Sequence, residues 1–424
     1  MVLPVLHPRR LSIRVLATRL FCSLAAATAL LSSTALLSST VLLSSTALLS
    51  STANAADHPR NQTFTGSQIV ESDSRVATPE VLAAGLNHPW GMAFLTDGRL
   101  LVTERSGQLR VLTAADGRWQ VSAPVAGVPE VSAMGQGGLL DVAIWQERVF
   151  ISYSEPGELL SNGTAVMSAR LEGDNTRGFR LVDQQVIFRQ QPKKLSTAHF
   201  GSRLVFTPDG YLFVTLGERF LARDSAQTLD NTLGKVIRIY PDGSIPPDNP
   251  FVNTSTARPE IWSYGHRNPQ GAALNPSTGQ LWVHEHGPKG GDEINIIQPG
   301  ANYGWPLATW GKEYTGGDIG EGPIKAGTES PLFYWLPSIA PSGMLFYSGN
   351  RYPGWHNSLL VGSLKFRQLV RLTLDGETVS GEERLFANRI GERVRDVEQG
   401  PDGLIYLLTD ETDGKLIRLQ PTER

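Results

Sequence analysis

The chain of 424 residues contains a single cysteine, Cys22, which lies in its N-terminal segment. The rest of the sequence therefore has no thiol and no disulfide, which excludes a cysteine nucleophile and a cysteine-ligated zinc site. Phe21 precedes the cysteine, whereas a lipoprotein cysteine needs a small residue at that position. The length is ample for a buried core.

Excess charge of one sign and long apolar runs are also lacking. The formal net charge is −3, which gives no reason to expect nucleic acid or an anionic membrane surface as a partner. Beyond the N-terminal segment no further apolar run of about 18 residues appears, so we expect no stable membrane span there. Clear amphipathic helices are scarce as well. We expect a soluble protein.

The first 55 residues differ from the rest of the chain. Four arginines between positions 9 and 19 precede a long apolar stretch, which repeats the hexamer ALLSST, once as VLLSST, between 29 and 52. The small-residue pattern ANA follows at 53–55. This arrangement predicts a cleaved signal peptide over 1–55 and a periplasmic or secreted protein. Because the apolar stretch is longer than a usual signal core, an uncleaved membrane anchor stays open.

Short strand-like runs bounded by turn residues recur through the remaining sequence. They are DGRLLVTE from Asp97, ERVFISYSE from Glu147, DGYLFVTLGE from Asp209, TGQLWVHEHG from Thr278, NSLLVGSLK from Asn357 and DGLIYLLTDE from Asp402. Asp-Gly between such runs predicts hairpins with type I′ turns, in which both central residues need a positive φ. The repetition predicts an all-β fold, a six-bladed β-propeller of four-stranded antiparallel blades over 81–424, after a linker over 56–80. A pair of β-sandwiches is the alternative.

Each of several repeats also carries a polar cluster near a strand end. These clusters contain Gln136 in MGQGGLLDV, His199 in STAHFGSRLVF, Arg267 and Asn268 in SYGHRNPQG, Lys365 in VGSLKFRQ, and Arg393 and Arg395 in GERVRDV. In a propeller, equivalent positions meet at the central axis, so four cations would converge. Convergent like charges repel one another unless a polyanionic ligand neutralises them. Guanidinium groups suit a ligand with several carboxylates, because they bind carboxylates in a bidentate way.

These motifs resemble those of the soluble, pyrroloquinoline-quinone-dependent aldose (glucose/sorbosone) dehydrogenase family. The resemblance runs from about Asn87 to Leu419, and its most specific pieces are HFGSRLVFTPDG, EIWSYGHRNPQG, EHGPKGGDEIN, NYGWPLATWG and RVRDVEQGPDG. It implies a six-bladed β-propeller, in agreement with the repeats, and an enzyme that oxidises aldose sugars at C1 to lactones. It also implies pyrroloquinoline quinone (PQQ) and Ca²⁺ as cofactors, and a quinone, cytochrome or dye as electron acceptor. We expect a monomer or a homodimer.

The resemblance implies a role for each matching position. His199 matches the catalytic base that takes the proton of the anomeric hydroxyl, and histidine suits this role because its ordinary pKa lies near the operating pH. Gln136 matches a residue that lies against the quinone and the substrate. The matching cofactor contacts are Gln136, Arg267, Asn268, Tyr314, Ser363, Leu364, Lys365, Phe366, Arg393, Val394 and Arg395. A cofactor with three carboxylates would explain why cations converge.

The stretch HEHGPKGGDE at 284–293 resembles a metal site in its composition. His284 and His286 would share one face of a strand and suggest zinc, but no third nitrogen or sulfur ligand lies nearby in the sequence. The family resemblance implies calcium instead, at one position beside the quinone and at a second, structural position. The ligands that it implies are the carbonyls of Gly287 and Pro288 at the first position, and Glu293 and Tyr303 at the second. Oxygen ligands suit calcium rather than zinc. Zinc is kept as the alternative.

Two positions depart from the family pattern. Ala198 precedes the base histidine where some members have an acidic residue, so another group must orient the imidazole. Leu336 stands where glucose-preferring members have a tryptophan, which leaves the preferred sugar open.

Two other functions are weighed against the dehydrogenase. A six-bladed calcium lactonase has no use for four convergent cations, and a non-catalytic propeller that binds glycans or proteins needs neither His199 nor Lys365.

Overall fold

The structure is a computed structural model that describes residues 61–65, 68–72, 75–115 and 117–422. The predicted signal peptide over 1–55 lies outside these residues. Within them, no helix is both long enough and apolar enough to cross a membrane.

The described residues form six sheets that each contain four antiparallel strands, one of them with an additional parallel strand, which confirms the predicted six-bladed β-propeller. Two strands come first in the chain, β1 (Ile69–Ser72) and β2 (Ala77–Leu86). Blade 1 contains β3 (Pro89–Phe94), β4 (Leu100–Glu104), β5 (Gln108–Ala115) and β6 (Arg118–Val121). Blade 2 contains β7 (Leu139–Trp145), β8 (Arg148–Pro156), β9 (Asn162–Asp174) and β10 (Gly178–Arg189). Blade 3 contains β11 (Gly201–Phe206), β12 (Leu212–Leu216), β13 (Lys235–Ile239) and β14 (Ile261–Tyr264).

The remaining three blades follow in chain order. Blade 4 contains β15 (Pro269–Leu274), β16 (Leu281–Glu285), β17 (Asp292–Ile296) and β18 (Phe333–Trp335). Blade 5 contains β19 (Pro341–Phe346), β20 (Leu359–Ser363), β21 (Gln368–Asp375) and β22 (Thr378–Leu385). Blade 6 contains β23 (Val394–Gln399), β24 (Ile405–Thr409) and β25 (Gly414–Pro421), with β2 as its fourth strand. Helical segments are short and include α1 (Ala387–Ile390) and the 3-10 turns Glu158–Leu160 and Arg223–Gln227.

The first strand of each blade lies at the centre of the molecule. The six inner strands contact one another in order, and β23 closes the ring against β3. Because all six begin at the same end of the central channel, the residues that precede them gather there. We call this the upper end of the channel, and each second strand also ends there, since it runs antiparallel to its inner neighbour.

The ring is closed by both ends of the chain. Strand β2 pairs with β25 from Ala77↔Pro421 to Leu86↔Gly414, and β1 adds to blade 5 as a parallel fifth strand on β22. The 56–80 stretch, expected to be a linker, therefore contains β1 and the first part of β2. Its sequence gives no local signal for this pairing, because the partner strands lie more than 300 positions away.

The Asp97-Gly98 and Asp402-Gly403 pairs lie in hairpin turns, but these turns are not of type I′. Gly98 has φ 84° and Gly403 has φ 76°, whereas Asp97 is not left-handed. The Gly98 N–H donates to the Leu95 carbonyl at 3.0 Å. This is the pattern of a type I turn followed by one left-handed residue, a position that glycine adopts without steric penalty.

The hydrophobic core lies between blades. The second strands β4, β12, β16, β20 and β24 are buried along their whole length. Because both of their faces pack against neighbouring blades, each begins with a run of consecutive apolar residues instead of alternating with polar ones. Leu101 and Val111 of blade 1, for example, pack in one cluster with Val149 and Ile151 of blade 2. Burial of each such side chain contributes about 1.5–3 kcal/mol.

Candidate active site

A cavity of about 320 Å³ lies at the upper end of the channel. Every blade contributes to its wall, through residues just before an inner strand, in the first residues of an inner strand, or just after a second strand. One residue from each blade, in order, is His88, Gln136, Gly201, Asn268, Leu364 and Arg395. The propeller therefore brings together several residues that the sequence analysis singled out from separate repeats.

His199 is buried immediately before β11 and contacts the other predicted catalytic residue. Its backbone N–H donates to Oε1 of Gln136 at 2.8 Å, and its Nδ1 atom lies 2.9 Å from Oε2 of Glu218. Burial lowers the pKa of His199, and the Glu218 carboxylate partly opposes this effect. The imidazole is therefore neutral at neutral pH. With Nδ1 donating to Glu218, Nε2 is the ring nitrogen left to accept a proton.

Arg219, which is fully buried, holds the chain on both sides of His199. Its Nη1 and Nη2 atoms donate to the carbonyls of Ala198 and Ser196, each at 2.7 Å. Its guanidinium carbon lies 3.5 Å from the centre of the Phe200 ring. Burial lowers the pKa of Arg219 to about 9, although the Glu218 charge opposes this shift. The group that orients the base is therefore Glu218, and Arg219 fixes the backbone around it.

Three arginines line the cavity, namely Arg105, Arg393 and Arg395. Nη2 of Arg395 lies 2.7 Å from Oδ2 of Asp410, and His88 Nδ1 lies 2.8 Å from the other carboxylate oxygen. Burial alone would raise the pKa of Asp410, but Arg395 holds it well below its usual range. The Nε atoms of Arg105 and Arg395 are buried without a hydrogen-bond partner among the described residues. These arginines therefore keep donors for an anionic ligand.

Arg267 lies beside the cavity and binds backbone carbonyls. Its Nη1 atom donates to the carbonyls of His286 and Gly287 at 2.9 and 3.1 Å. Its Nη2 atom lies 3.4 Å from the hydroxyl of Tyr314, whose side chain is largely exposed. Asn268, the next residue, faces the cavity itself.

The 363–366 segment follows β20 and contributes one wall. Leu364 lines the cavity, whereas Ser363 is buried and its Oγ accepts the N–H of Phe366 at 3.2 Å. Lys365 is exposed, and its Nζ atom lies 4.9 Å from the centre of the Phe366 ring. Val394 is fully buried in the hydrophobic cluster below.

The four cations predicted to converge are brought together only in part. Arg393 and Arg395 line the cavity, together with Arg105, which the sequence analysis did not single out. Arg267 is engaged by carbonyls, and Lys365 lies against an aromatic ring. Two carboxylates also line the cavity, so part of its positive charge is neutralised by the protein itself.

The turn after β16 carries the predicted calcium carbonyls and is fixed by Asp292. Oδ1 of Asp292 accepts the N–H of Gly287 at 2.9 Å, and Oδ2 accepts the N–H of Ile339 at 2.8 Å. Burial raises the pKa of Asp292 to about 6, although these hydrogen bonds oppose the shift. Gly287 and Pro288 are both buried beside Arg267.

The two histidines of this stretch do not form a zinc site. His284 is fully buried, and neither of its ring nitrogens has a partner among the described residues. His286 lines the cavity, and its Nε2 atom lies 2.6 Å from the carbonyl of Pro341. Burial lowers the pKa of His286 to about 3. In the described part of the chain, no group of three or more His, Cys, Asp or Glu side chains is arranged to hold a metal ion.

Two buried glutamates lie side by side next to this turn. Glu285 and Glu293 are cross-strand partners in β16 and β17, and both line a small cavity with Tyr303. Glu285 contacts His266 Nδ1 at 2.9 Å, and Nδ2 of Asn295 lies 3.5 Å from Oε2 of Glu293. Burial, and then the charge of Glu285, raise the pKa of Glu293 well above its usual range. A cation bound by oxygen would relieve this repulsion, so the donors fit calcium.

Tyr303 can contribute to such a site only through atoms other than its hydroxyl. The hydroxyl donates to the Ile296 carbonyl at 2.7 Å and accepts the Gln298 N–H at 2.8 Å. Its ring stacks on His266 with centroids 4.8 Å apart. Backbone oxygens or water would have to complete the coordination.

Residues 86–418 match the sequence profile of the glucose/sorbosone dehydrogenase family. The chain belongs to this family. The aldose sugar dehydrogenase YliI of Escherichia coli is similar to it, with 49% identity over 350 residues, which cover 81% of this chain and 92% of YliI. The resemblance inferred from the motifs is confirmed.

Solved structures of similar proteins have the same fold. The apo-form of the soluble aldose sugar dehydrogenase from Escherichia coli aligns with a TM-score of 0.77 and 49% identity, over 82% of this chain and 100% of that chain. The PQQ-bound form of aldose sugar dehydrogenase from Streptomyces coelicolor aligns with a TM-score of 0.65 and 28% identity, over 83% of this chain and 100% of that chain.

Sequence reasoning missed Glu218, although the family's repeats contain a signal for it. His199 and Glu218 are 19 positions apart, and so are His266 and Glu285 in the next blade. Each pair joins a histidine just before an inner strand to a carboxylate at the end of the second strand, at 2.9 Å. The repeated spacing could have identified both pairs.

Proposed function

We propose that this protein is an exported dehydrogenase that uses PQQ and calcium to oxidise aldose sugars at C1 to lactones. Family membership and similarity to an aldose sugar dehydrogenase support sugar oxidation, and the similar PQQ-bound enzyme supports the cofactor. The observation that carries the proposal is the His199–Glu218 pair beside a cavity lined by arginines.

The cofactor would lie in the upper cavity. Arg105, Arg393 and Arg395 would bind its carboxylates, since all three line the cavity and the Nε atoms of Arg105 and Arg395 are buried without partners among the described residues. When bound, the quinone supplies a hydride acceptor, and calcium polarises the acceptor carbonyl. The calcium ligands that we propose are Gly287, Pro288, Glu293 and Tyr303.

His199 performs the acid–base chemistry in this proposal. Its Nε2 atom takes the proton of the anomeric hydroxyl while the hydrogen on C1 leaves as hydride, so C1 becomes the lactone carbonyl. A neutral imidazole is needed for this step, and burial of His199 keeps it neutral. The Glu218 carboxylate stabilises the imidazolium that forms. Gln136 holds the backbone of the base in place through its 2.8 Å hydrogen bond.

Reconstitution tests this function directly. Apo-protein is mixed with calcium and PQQ, and reduction of a small redox dye is followed with a panel of aldoses. We expect dye reduction with at least one aldose and formation of the corresponding lactone. If bound PQQ is present and no aldose supports dye reduction, the dehydrogenase proposal is wrong.

The base assignment is tested with two histidine variants. His199→Ala should lower turnover by about 100-fold or more while PQQ binding, measured by absorbance titration, is retained. His356→Ala is the matched control, because His356 is exposed and only contacts a backbone carbonyl. Turnover of His199→Ala within tenfold of the unmodified protein would contradict the assignment.

A further inference from the structure

A second histidine–carboxylate pair lies at the upper cavity, besides the pair of His199 and Glu218. His88 comes just before β3 of blade 1, and its Nδ1 atom lies 2.8 Å from Oδ1 of Asp410, which follows β24 of blade 6. His88 lines the cavity, and its side chain is 32% exposed. The acid–base chemistry proposed above does not use this pair, although it lies in the wall of the same cavity.

The Nε2 atom of His88 is available to a ligand. Burial would raise the pKa of Asp410, but Arg395 holds it well below its usual range, so Asp410 is ionised and accepts the Nδ1 proton of His88. Nε2 then carries a lone pair, and it forms no hydrogen bond within the described part of the chain. His266, by contrast, is fully buried and has partners at both ring nitrogens. His88 is therefore placed to exchange a proton with a ligand or with solvent.

The backbone fixes the position of His88 before any ligand arrives. Its N–H donates to the Glu411 carbonyl at 2.8 Å, and its carbonyl accepts the Arg105 N–H at 3.1 Å. Its φ is 49°, a left-handed conformation that is uncommon for residues other than glycine, and His199 has a similar φ of 54°. Backbone strain of this kind persists where the surrounding structure holds it, often at sites of binding and catalysis.

Charged groups from three neighbouring segments surround His88. Glu104 lies behind the turn, where it accepts the Asn87 N–H at 2.7 Å and pairs with Arg110 at 2.8 Å. The charged groups that line the cavity with His88 are Arg105 after β4, Arg393 and Arg395 at the start of β23, and Asp410 and Glu411 after β24. Three guanidinium groups and two carboxylates leave one net positive charge at this wall. A ligand with three carboxylates exceeds that charge.

A polyanion bound by these arginines would favour a proton on His88, because a nearby negative charge stabilises the charged form of an imidazole. The calcium that we propose at Gly287 and Pro288 would not cancel this effect locally. Its turn belongs to blade 4, which faces blade 1 across the ring of six. His286 cannot replace His88 in this role, since its Nε2 lies 2.6 Å from the Pro341 carbonyl and burial lowers its pKa to about 3.

We propose that His88 is a proton-linked binding residue for the cofactor. Its Nε2 atom takes up one proton from solvent when PQQ binds, and the imidazolium then adds a fourth cation to the three arginines. This inference rests on the PQQ-dependent function proposed above. Because the complex holds one proton more than the free protein, the affinity for PQQ is highest at a pH where His88 is already protonated, and it falls as the pH rises.

Calorimetric titration counts the protons that binding takes up. Apo-protein in excess calcium is titrated with PQQ in buffers of different ionisation enthalpy, at about pH 7.5, near the range in which histidines exchange protons. The unmodified protein should take up at least about half a proton per PQQ, and His88→Asn close to none. Asparagine tolerates a positive φ and keeps a donor toward Asp410, so this variant retains the local structure.

His356→Asn is the matched control for this titration. His356 is exposed, and its Nδ1 atom contacts the Gly349 carbonyl at 3.1 Å. It should take up as many protons as the unmodified protein. The dissociation constant gives a second readout. Between about pH 6 and pH 8.5 the Kd for PQQ should rise by about tenfold more in the unmodified protein than in His88→Asn.

Three results would overturn the proposal. They are PQQ binding by the unmodified protein without proton uptake, equal uptake by the unmodified protein and His88→Asn, and a Kd that His88→Asn weakens by the same factor at every pH. The last result would mean that His88 only positions Asp410 and Arg395. Failure of the proposed function is distinguishable. PQQ binding with proton uptake at His88 but without dye reduction would overturn the dehydrogenase alone, whereas absence of PQQ binding would overturn both.

Discussion

At the scale of single residues, the state of His199 depends on one buried carboxylate. Glu218 contacts the imidazole through Oε2, and its Oε1 atom is buried without a partner among the described residues. An ionised Glu218 fixes a proton on Nδ1 and leaves Nε2 free to act as base. A neutral amide at position 218 would allow either tautomer and would not stabilise an imidazolium.

We therefore predict that Glu218→Gln lowers kcat by about 10–100-fold with a smaller effect on KM. Because Glu218 is the group that raises the pKa of His199 against the effect of burial, its removal should move the acid limb of kcat/KM to lower pH. The measurement is a pH profile of the reconstituted enzyme. Glu172→Gln, at a partly exposed ion pair, is the control. An acid limb that moves to higher pH would contradict the prediction.

Arg219 is a positioning residue, because it contacts the backbone beside His199 and not the reacting atoms. Lysine keeps the charge, but its single nitrogen cannot donate to the Ala198 and Ser196 carbonyls in a fork and also stack on Phe200. Arg219→Lys should therefore lower kcat more than it changes KM, and lower the free energy of unfolding by about 1–3 kcal/mol.

The control for this variant is Arg170→Lys, since Arg170 is half exposed and pairs with Asp183 on the surface. It should change neither kcat nor stability measurably. If Arg219→Lys loses stability while kcat and the pH profile stay unchanged, Arg219 supports the fold only.

At the scale of elements, the sequence predicts the strands within each blade better than it predicts which strands close the ring of blades. The second strands are recognisable because burial on both faces produces runs of consecutive apolar residues, as in LFV at the start of LFVTL at 212–216. Strand β2, ATPEVLAAGL, is exposed at five of its ten positions and has no such pattern. Its position depends on pairing with β25 at the far end of the chain, and a local pattern cannot report a partner at that distance.

The candidate active site is likewise predicted only in part by local sequence motifs. Local motifs place His199, Gln136 and the arginine clusters at strand ends, and the propeller brings those ends to one axis. The motifs do not show which cations face the cavity. Arg267 instead donates to backbone carbonyls, and Lys365 lies against an aromatic ring.

Truncation within strand β2 tests how much the pairing of this strand with β25 stabilises the ring. A chain that starts at 75 keeps the whole strand, whereas a chain that starts at 81 loses the pairing of Ala77 to Glu80 with β25. We expect the first to have a lower Tm than the chain that starts at 56, because it loses β1 and its parallel pairing with β22. The second should have a still lower Tm, because it loses ladder hydrogen bonds and the buried Ala77. Equal Tm values for the two truncations would show that β2 does not stabilise the ring.

At the scale of the whole molecule, a buried group of ion pairs in the central channel makes the free energy of unfolding depend on pH. Arg203 forms ion pairs with Asp141 at 3.1 Å and with Asp396 at 2.8 Å. Burial raises the pKa of Asp141 to about 6 despite the charge of Arg203. Because this pKa is higher in the folded than in the unfolded chain, the folded state holds the proton more tightly. The resulting stability is present below about pH 4 and is lost as pH rises through about 6.

Asp141→Asn removes this titration. Relative to the variant, the unmodified protein should therefore lose roughly 1–3 kcal/mol of unfolding free energy between pH 4 and pH 7. Denaturant unfolding of both proteins at the two pH values measures this difference. A difference between the two proteins that is independent of pH would contradict the assignment.

Calcium binding at the upper end of the propeller should stabilise the folded protein. Without a cation, burial and then repulsion from Glu285 raise the pKa of Glu293 well above its usual range. Glu293→Gln removes this repulsion, so the apo-variant should be at least as stable as the apo-form of the unmodified protein. Calcium at about 100 times its Kd should stabilise the unmodified protein by about 2.7 kcal/mol and the variant by much less. The order of the two Tm values should therefore reverse when calcium is added. Calorimetry with chelator and with excess calcium measures this, and an equal calcium response in both proteins would place the ion away from Glu293.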